Sequence, residues 1–150
     1  MTWGSWRMRV CVCGCSVMKY FSNFKNGMGI LQQVLTQLLL DPHYRTLRGL
    51  ATLLDKDMVA YGHKSADRNG HAYGGTTSSE WSPIWLQLLD AIRQLVRQFP
   101  SAFEYDERTL AFLASHLYAG FVTTFRHNSF SALAADASAS RSTSVWSQLL

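Results

Sequence analysis

The sequence predicts a mainly α-helical fold, and three observations carry that expectation. Apolar residues recur at three- and four-residue spacing in four separate stretches, the period of one helix face. Proline, glycine and clustered small polar residues separate the stretches. Strand-like alternation of apolar and polar residues is nearly absent. The 150 residues, 47% hydrophobic, amount to one domain of ordinary globular composition. No run reaches the roughly 18 apolar residues a membrane-crossing helix needs.

Taken in order, Leu31, Val34, Leu35, Leu38 and Leu39 predict an amphipathic helix over 30–40, ended by Asp41-Pro42 because proline disfavours helical geometry in the residue before it. A second helix is expected over about 44–60, with Leu47, Leu50, Leu54 and Met58 inward and Gly62 as its break. Residues 69–80 read as a loop by composition. Ser82-Pro83 predicts a helix start, serine as N-cap and proline at the first helical position. Trp85, Leu88, Leu89, Ile92, Leu95, Val96 and Phe99 then hold a 3.6-residue period until Pro100; this stripe reads as core. Asp106 is placed to cap a fourth helix over roughly 107–121, with Leu110, Leu113, Leu117 and Phe121 on one face. Residues 129–144, mostly Ser and Ala, read as a flexible connection.

Charge divides the chain. Residues 1–30 hold Arg7, Arg9, Lys19 and Lys25 and no acid, which accounts for the net +4; the other ten basic and ten acidic residues cancel. A nucleic-acid-binding domain spreads its cations over one face, which the body of this chain does not. All three cysteines, Cys11, Cys13 and Cys15, are in the same leader. Its apolar run is broken by Gly14 and Ser16 and its arginines come late, against a secretory signal. The absence of acids fits an organelle transit peptide slightly better. Cys-x-Cys-x-Cys could take a soft metal, but no histidine or fourth cysteine is near in sequence to close a tetrahedral site. A poorly structured leader is the expectation, or a stretch foreign to the fold that follows.

Several phrases stand together in order: Leu-Leu-Leu-Asp-Pro-His-Tyr-Arg-Thr at 38–46, Tyr-Gly-His-Lys at 61–64 with Arg68 and Gly70-His71, Ser-Pro-Ile-Trp-Leu-Gln-Leu-Leu-Asp at 82–90, and Arg-Gln-Phe-Pro-Ser-Ala-Phe-Glu at 97–104. Together they resemble the C-terminal part of a myotubularin-type phosphoinositide phosphatase domain, over about 31–128. Thr143-Ser144-Val145-Trp146-Ser147 resembles a later phrase of that family. The resemblance implies the helical C-terminal portion of an α/β cysteine-phosphatase-like domain whose central sheet is largely missing. It divides the chain into a leader (1–30), the phosphatase part (31–128), and a Ser/Ala-rich connection with a closing Trp-Ser stretch (129–150). It also implies removal of the 3-phosphate from phosphatidylinositol 3-phosphate and phosphatidylinositol 3,5-bisphosphate, in the cytoplasm at endosomal membranes. No cofactor and no metal is expected. The partners implied are a phosphoinositide headgroup, a membrane surface touched peripherally, and another chain of the family.

The family's nucleophile belongs to a loop of the form Cys-Ser-Asp-Gly-Trp-Asp-Arg-Thr. A thiolate attacks phosphorus, backbone N–H groups cradle the oxygens at a helix N-terminus, and the arginine binds two oxygens at once. Counted back without gaps, the loop falls on residues 22–29, where Ser22 replaces the cysteine, Phe24 and Gly27 the two aspartates, and Met28 the arginine. Six residues after Cys11, Cys13 and Cys15 stand Val17, Lys19 and Phe21, so no cysteine restores the motif. The expectation is a myotubularin-like fragment without its catalytic loop and without turnover; the alternative is an inactive adaptor that partners an active family member. A further possibility is a piece whose apolar faces at 31–39 and 85–99 are left uncovered for want of the sheet.

Lys64 and Arg68 match two basic positions that line the family's substrate pocket, and their i, i+4 spacing would put both on one side of a helix. They are the candidate phosphate-binding pair. His63, His71 and Asp67 flank them, and a structural histidine is the better reading there than a metal ligand. Asp41 and Arg45 are read as structural, capping and pairing across the helix turn. His43, His116 and His127 show no partner pattern.

Overall fold

A computed structural model describes residues 28–71, 81–139 and 143–150; the cysteines, Ser22, Phe24 and Gly27 lie outside the described residues. Among the described residues all regular structure is helical and there is no strand. The elements are α1 (Met28–Leu40), a 3-10 turn (Pro42–Arg45), α2 (Leu47–Leu54) running into a π-helical turn (Asp55–Ala60), α3 (Ser65–Asn69), α4 (Ile84–Gln98), α5 (Glu107–Ala119), a 3-10 turn (Thr123–Phe125), α6 (Phe130–Ala139) and a closing 3-10 turn (Val145–Gln148).

α1 buries Leu31, Val34, Leu35 and Leu38, and leaves Leu39 half-buried. Its last carbonyls lack partners within the helix, and no basic residue stands in its final turn. Arg45 supplies both needs: its Nε donates to the Leu38 carbonyl at 3.1 Å and its Nη2 to the Leu39 carbonyl at 2.7 Å. Asp41 accepts from the His43 amide at 2.8 Å. Asp41 and Arg45 are thus structural, although the arginine bonds backbone where a cross-turn pair was expected. The expected single helix over 44–60 is instead three pieces. The Asp41-Pro42 turn occupies 42–45, and Thr46 starts α2 by accepting from the Gly49 amide at 3.0 Å. Gly49 is packed so closely on that turn that a Cβ would come 1.9 Å from the His43 carbonyl oxygen. Glu104, from far along the chain, accepts from the Leu47 amide at 2.7 Å and fixes the same helix start.

The Ser82-Pro83 start is shifted by one residue. Pro83 occupies the cap position of α4, and no side chain caps it. The Ser82 N–H instead donates to the Arg68 carbonyl at 3.2 Å, which draws Ser82 into the tertiary structure. The α4 stripe is buried from Trp85 to Val96, and Phe99 is half-buried. Asp106 caps α5 as expected, accepting from the Thr109 amide at 3.0 Å. Gly120, at φ +69°, turns the chain out of α5, so Phe121 leaves the helical face assigned to it and is exposed. The Ser/Ala-rich stretch also differs from expectation. Residues 130–139 form α6, because alanine is the best helix former and Ser129 caps the first turn by accepting from the Ala132 amide. Asp136 anchors α6 to His127 Nε2 at 2.9 Å.

The apolar faces of α1, α2, α4 and α5 form one core, with Met58, Val122, Phe125, Val145 and Trp146 joined to it. The faces at 31–39 and 85–99, which the alternative of an unstable piece left uncovered, pack into this core together. Each fully buried leucine contributes roughly 2 kcal/mol of hydrophobic stabilisation. Trp146 closes the core from the C-terminal end and donates its Nε1–H to Asp55 Oδ1 at 2.8 Å.

Candidate functional site

The candidate pair Lys64 and Arg68 lies on the short segment between the π-helical turn and α4. Gly62, at φ +80°, makes the sharp turn that starts it, so Gly62 is the break the sequence indicated. The Ser65 amide donates to the His63 carbonyl at 2.7 Å, and α3 follows for little more than one turn. Gly70 ends it in the left-handed region at φ +76°. Lys64 is the residue before α3, with φ −71° and ψ 67°, so it is outside the helical repeat that the i, i+4 spacing assumed. The Arg68 amide nevertheless bonds the Lys64 carbonyl at 3.0 Å. Lys64 is exposed and Arg68 half-buried.

The segment is held from below by aromatic residues. Trp85, in the first turn of α4, donates its Nε1–H to Ser65 Oγ at 3.0 Å. Phe125 meets the Trp85 ring edge-on at 4.9 Å and His63 meets it edge-on at 6.4 Å. His71 Nε2 bonds the Leu117 carbonyl at 2.7 Å, and the Asp67 amide donates to Asn128 Oδ1 at 3.2 Å. The His71 bond is of the structural kind expected of it, whereas His63 is held by its ring contact with Trp85. Among the described residues no three His, Cys, Asp or Glu side chains gather as a metal would require.

Electrostatically the segment is unusual. Burial, and then the nearby Arg68 charge, lower the His63 pKa to about 4, so its ring is neutral at neutral pH. His63 Nε2, Arg68 Nε, both polar atoms of the Asn69 amide and Ser82 Oγ are buried without a hydrogen-bond partner. Buried polar atoms normally find partners. This concentration, contributed by residues 63–69 and 82, marks a place where the fold keeps polar groups at a cost in stability. His63, Asn69 and Ser82 were not assigned this role from sequence. Only Ser82 stands near Trp85 in sequence, and no local pattern marks His63 or Asn69 for it.

A second polar feature is a cleft of about 550 Å³ between α1 and the π-helical turn, lined in part by Gln33, Gln37, Lys56, Asp57 and Tyr61. Asp57 is fully buried and accepts from Gln33 Nε2 at 3.3 Å and from Gln37 Nε2. Lys56 Nζ lies 3.8 Å from the same carboxylate and 5.3 Å above the Tyr44 ring. The network pins the π-helical turn to α1. Met28, where the ungapped count puts the family's arginine, is the first residue of α1.

The family model described as the myotubularin-like phosphatase domain matches residues 26–133. A phosphatidylinositol-3,5-bisphosphate 3-phosphatase of Mus musculus (MTMR4) is 43% identical over 94 residues, covering 63% of this chain and 8% of the relative. The protein of the same name from Xenopus laevis is 42% identical over 115 residues, 77% of this chain and 11% of the relative. That from Homo sapiens is 43% identical over 94 residues, again 63% and 8%. The chain therefore spans about a tenth of the length of the relatives it matches. On a match over most of its length, and on the phrases it shares in order, this chain belongs to the myotubularin-like phosphatase family.

Proposed function

We propose that this chain supplies the helical, phosphate-facing part of a phosphoinositide 3-phosphatase domain, and that by itself it holds a phosphoinositide headgroup without hydrolysing it. The observation that carries the reading is the family match over 26–133 combined with a sequence that contains no Cys-x5-Arg. Ser22, at the nucleophile position, has no accessible anion near neutral pH, and Met28 cannot pair with phosphate oxygens. In this reading Lys64 and Arg68 contact phosphate, Arg68 by its planar fork and Lys64 as a point charge. The relatives' names support a 3,5-bisphosphorylated lipid; a place at the cytoplasmic face of endosomal membranes belongs to the same proposal and rests on the family resemblance alone. The leader and the strands of the full domain are outside this function. Incubation with soluble short-chain phosphatidylinositol 3,5-bisphosphate should release no phosphate while titration shows binding. Turnover above background would overturn the inactive reading, and absence of binding would overturn the ligand.

A second reading is an inactive adaptor, favoured by the same Ser22 and Met28. It requires stable association with an active family member, which a pull-down with such a protein tests; no association removes it.

A further inference from the structure

Eight large hydrophobic residues are exposed among the described residues, and five are aromatic: Tyr61, Trp81, Tyr118, Phe121 and Phe130, between 45% and 79% accessible. The other three, Leu40, Leu86 and Leu150, are aliphatic. All five aromatics belong to segments that converge on α3. Tyr61 precedes the Gly62 turn into it. The Trp81 indole lies beside Gly70 at its end, with Nε1 3.2 Å from where a Cβ would be. Tyr118 and Phe121 follow Leu117, whose carbonyl binds His71. Phe130 follows Asn128, whose side chain binds the Asp67 amide. The 3-10 turn at Thr123–Phe125 also packs on α3.

From this convergence we propose that the α3 end of the molecule is a membrane-docking surface, with these aromatic side chains entering the headgroup region of an anionic bilayer. Large aromatics exposed singly are unremarkable, but five in segments that meet at α3, where the other aromatics among the described residues are at least partly buried, form a patch of the kind that marks an interaction surface. Tyr and Trp carry an apolar body and a polar tip, which suits the boundary between headgroups and acyl chains. Lys64, Arg68 and Arg126 are at the same end, with Asp67 and with Asp136, which pairs with Arg126 at 4.0 Å; the balance is one net positive charge, the sign an anionic surface attracts. The choice of a bilayer as occupant rests on the phosphoinositide reading. A headgroup that reaches Lys64 and Arg68 brings its own bilayer to this end, and the aromatic residues are where that bilayer arrives.

Sedimentation of the full chain with vesicles of phosphatidylcholine and phosphatidylserine tests the surface apart from the headgroup. Binding is expected, and the double substitution Phe121→Ser with Phe130→Ser should weaken it about tenfold. Trp81 emission should shift to the blue on binding, a change absent from Trp81→Phe. Leu86→Ser, in the groove between α4 and α5, should leave binding unaltered. No vesicle binding, equal binding by the double variant, or equal loss in Leu86→Ser would overturn the surface. So would a change of oligomeric state in the double variant with vesicle binding intact. Adding phosphatidylinositol 3,5-bisphosphate to the vesicles should tighten binding in the wild type but not in Arg68→Gln. If that increment is missing while the aromatic dependence persists, the headgroup reading fails and the docking surface stands.

Discussion

The apolar layer formed by α1, α2, α4 and α5 and the polar segment around α3 are built on opposite terms. In the layer, side chains from Leu31 to Leu117 interdigitate with almost no exposure. Around α3, five polar atoms are buried without partners and five aromatic side chains face outward. The layer lowers the free energy of folding; the α3 segment raises it and is tolerated because Trp85 and Phe125 hold it from beneath. Regions that keep unsatisfied polar groups and exposed aromatics are those available for binding, so the contrast separates scaffold from candidate function.

The boundary residue is Trp85, and it gives the largest expected effect. Trp85→Ala removes a nearly fully buried ring together with its bond to Ser65, and should cost about 4 kcal/mol, measured by chemical denaturation. If the cost were under about 1 kcal/mol, the α3 segment would not depend on the core beneath it.

His63 sharpens the contrast through pH. Its folded pKa is about 4 against an ordinary 6.5, so between those values the unfolded chain takes up a proton that the folded chain refuses. Stability on this account is present above about pH 6.5 and lost as pH falls toward about 4, by on the order of 3 kcal/mol. The difference in pH dependence between wild type and His63→Gln isolates that contribution from the carboxylates. Parallel curves would show that His63 is not excluded from solvent.

Within the layer, Gly49→Ala should destabilise by about 2 kcal/mol, because the new Cβ meets the backbone of the 42–45 turn and not a flexible side chain. A neutral result in thermal melts would mean that the turn can move away from α2. The smallest effect is expected from Trp146→Phe, which keeps the ring in the core but deletes the bond to Asp55, for about 1 kcal/mol. Burial raises the Asp55 pKa and the Trp146 bond opposes that rise, so the variant should also raise it further, readable by NMR titration.

The layer was legible in the sequence because a helix buries one face and the 3.6-residue period records which. Leu31 to Leu38 and Trp85 to Val96 carry that record plainly. The Asp106 cap and the Gly62 break were legible because each satisfies a local geometric need. The family's phrases, and the absence of any Cys-x5-Arg, were also legible in the sequence alone. What the tertiary structure decided were pairings between residues distant in the chain. Arg45 bonds the end of α1 where a partner in Asp41 was expected, Asp57 is satisfied by two glutamines of α1, and Trp146 reaches Asp55 across 91 residues. The apolar faces of α1 and α4 find each other, and Phe121 leaves its helix face because Gly120 turns the chain first. Period and capping are local and repeat within a few residues. Which polar group meets which partner, and which is left with none, depends on how the elements pack, and nothing within one element records it.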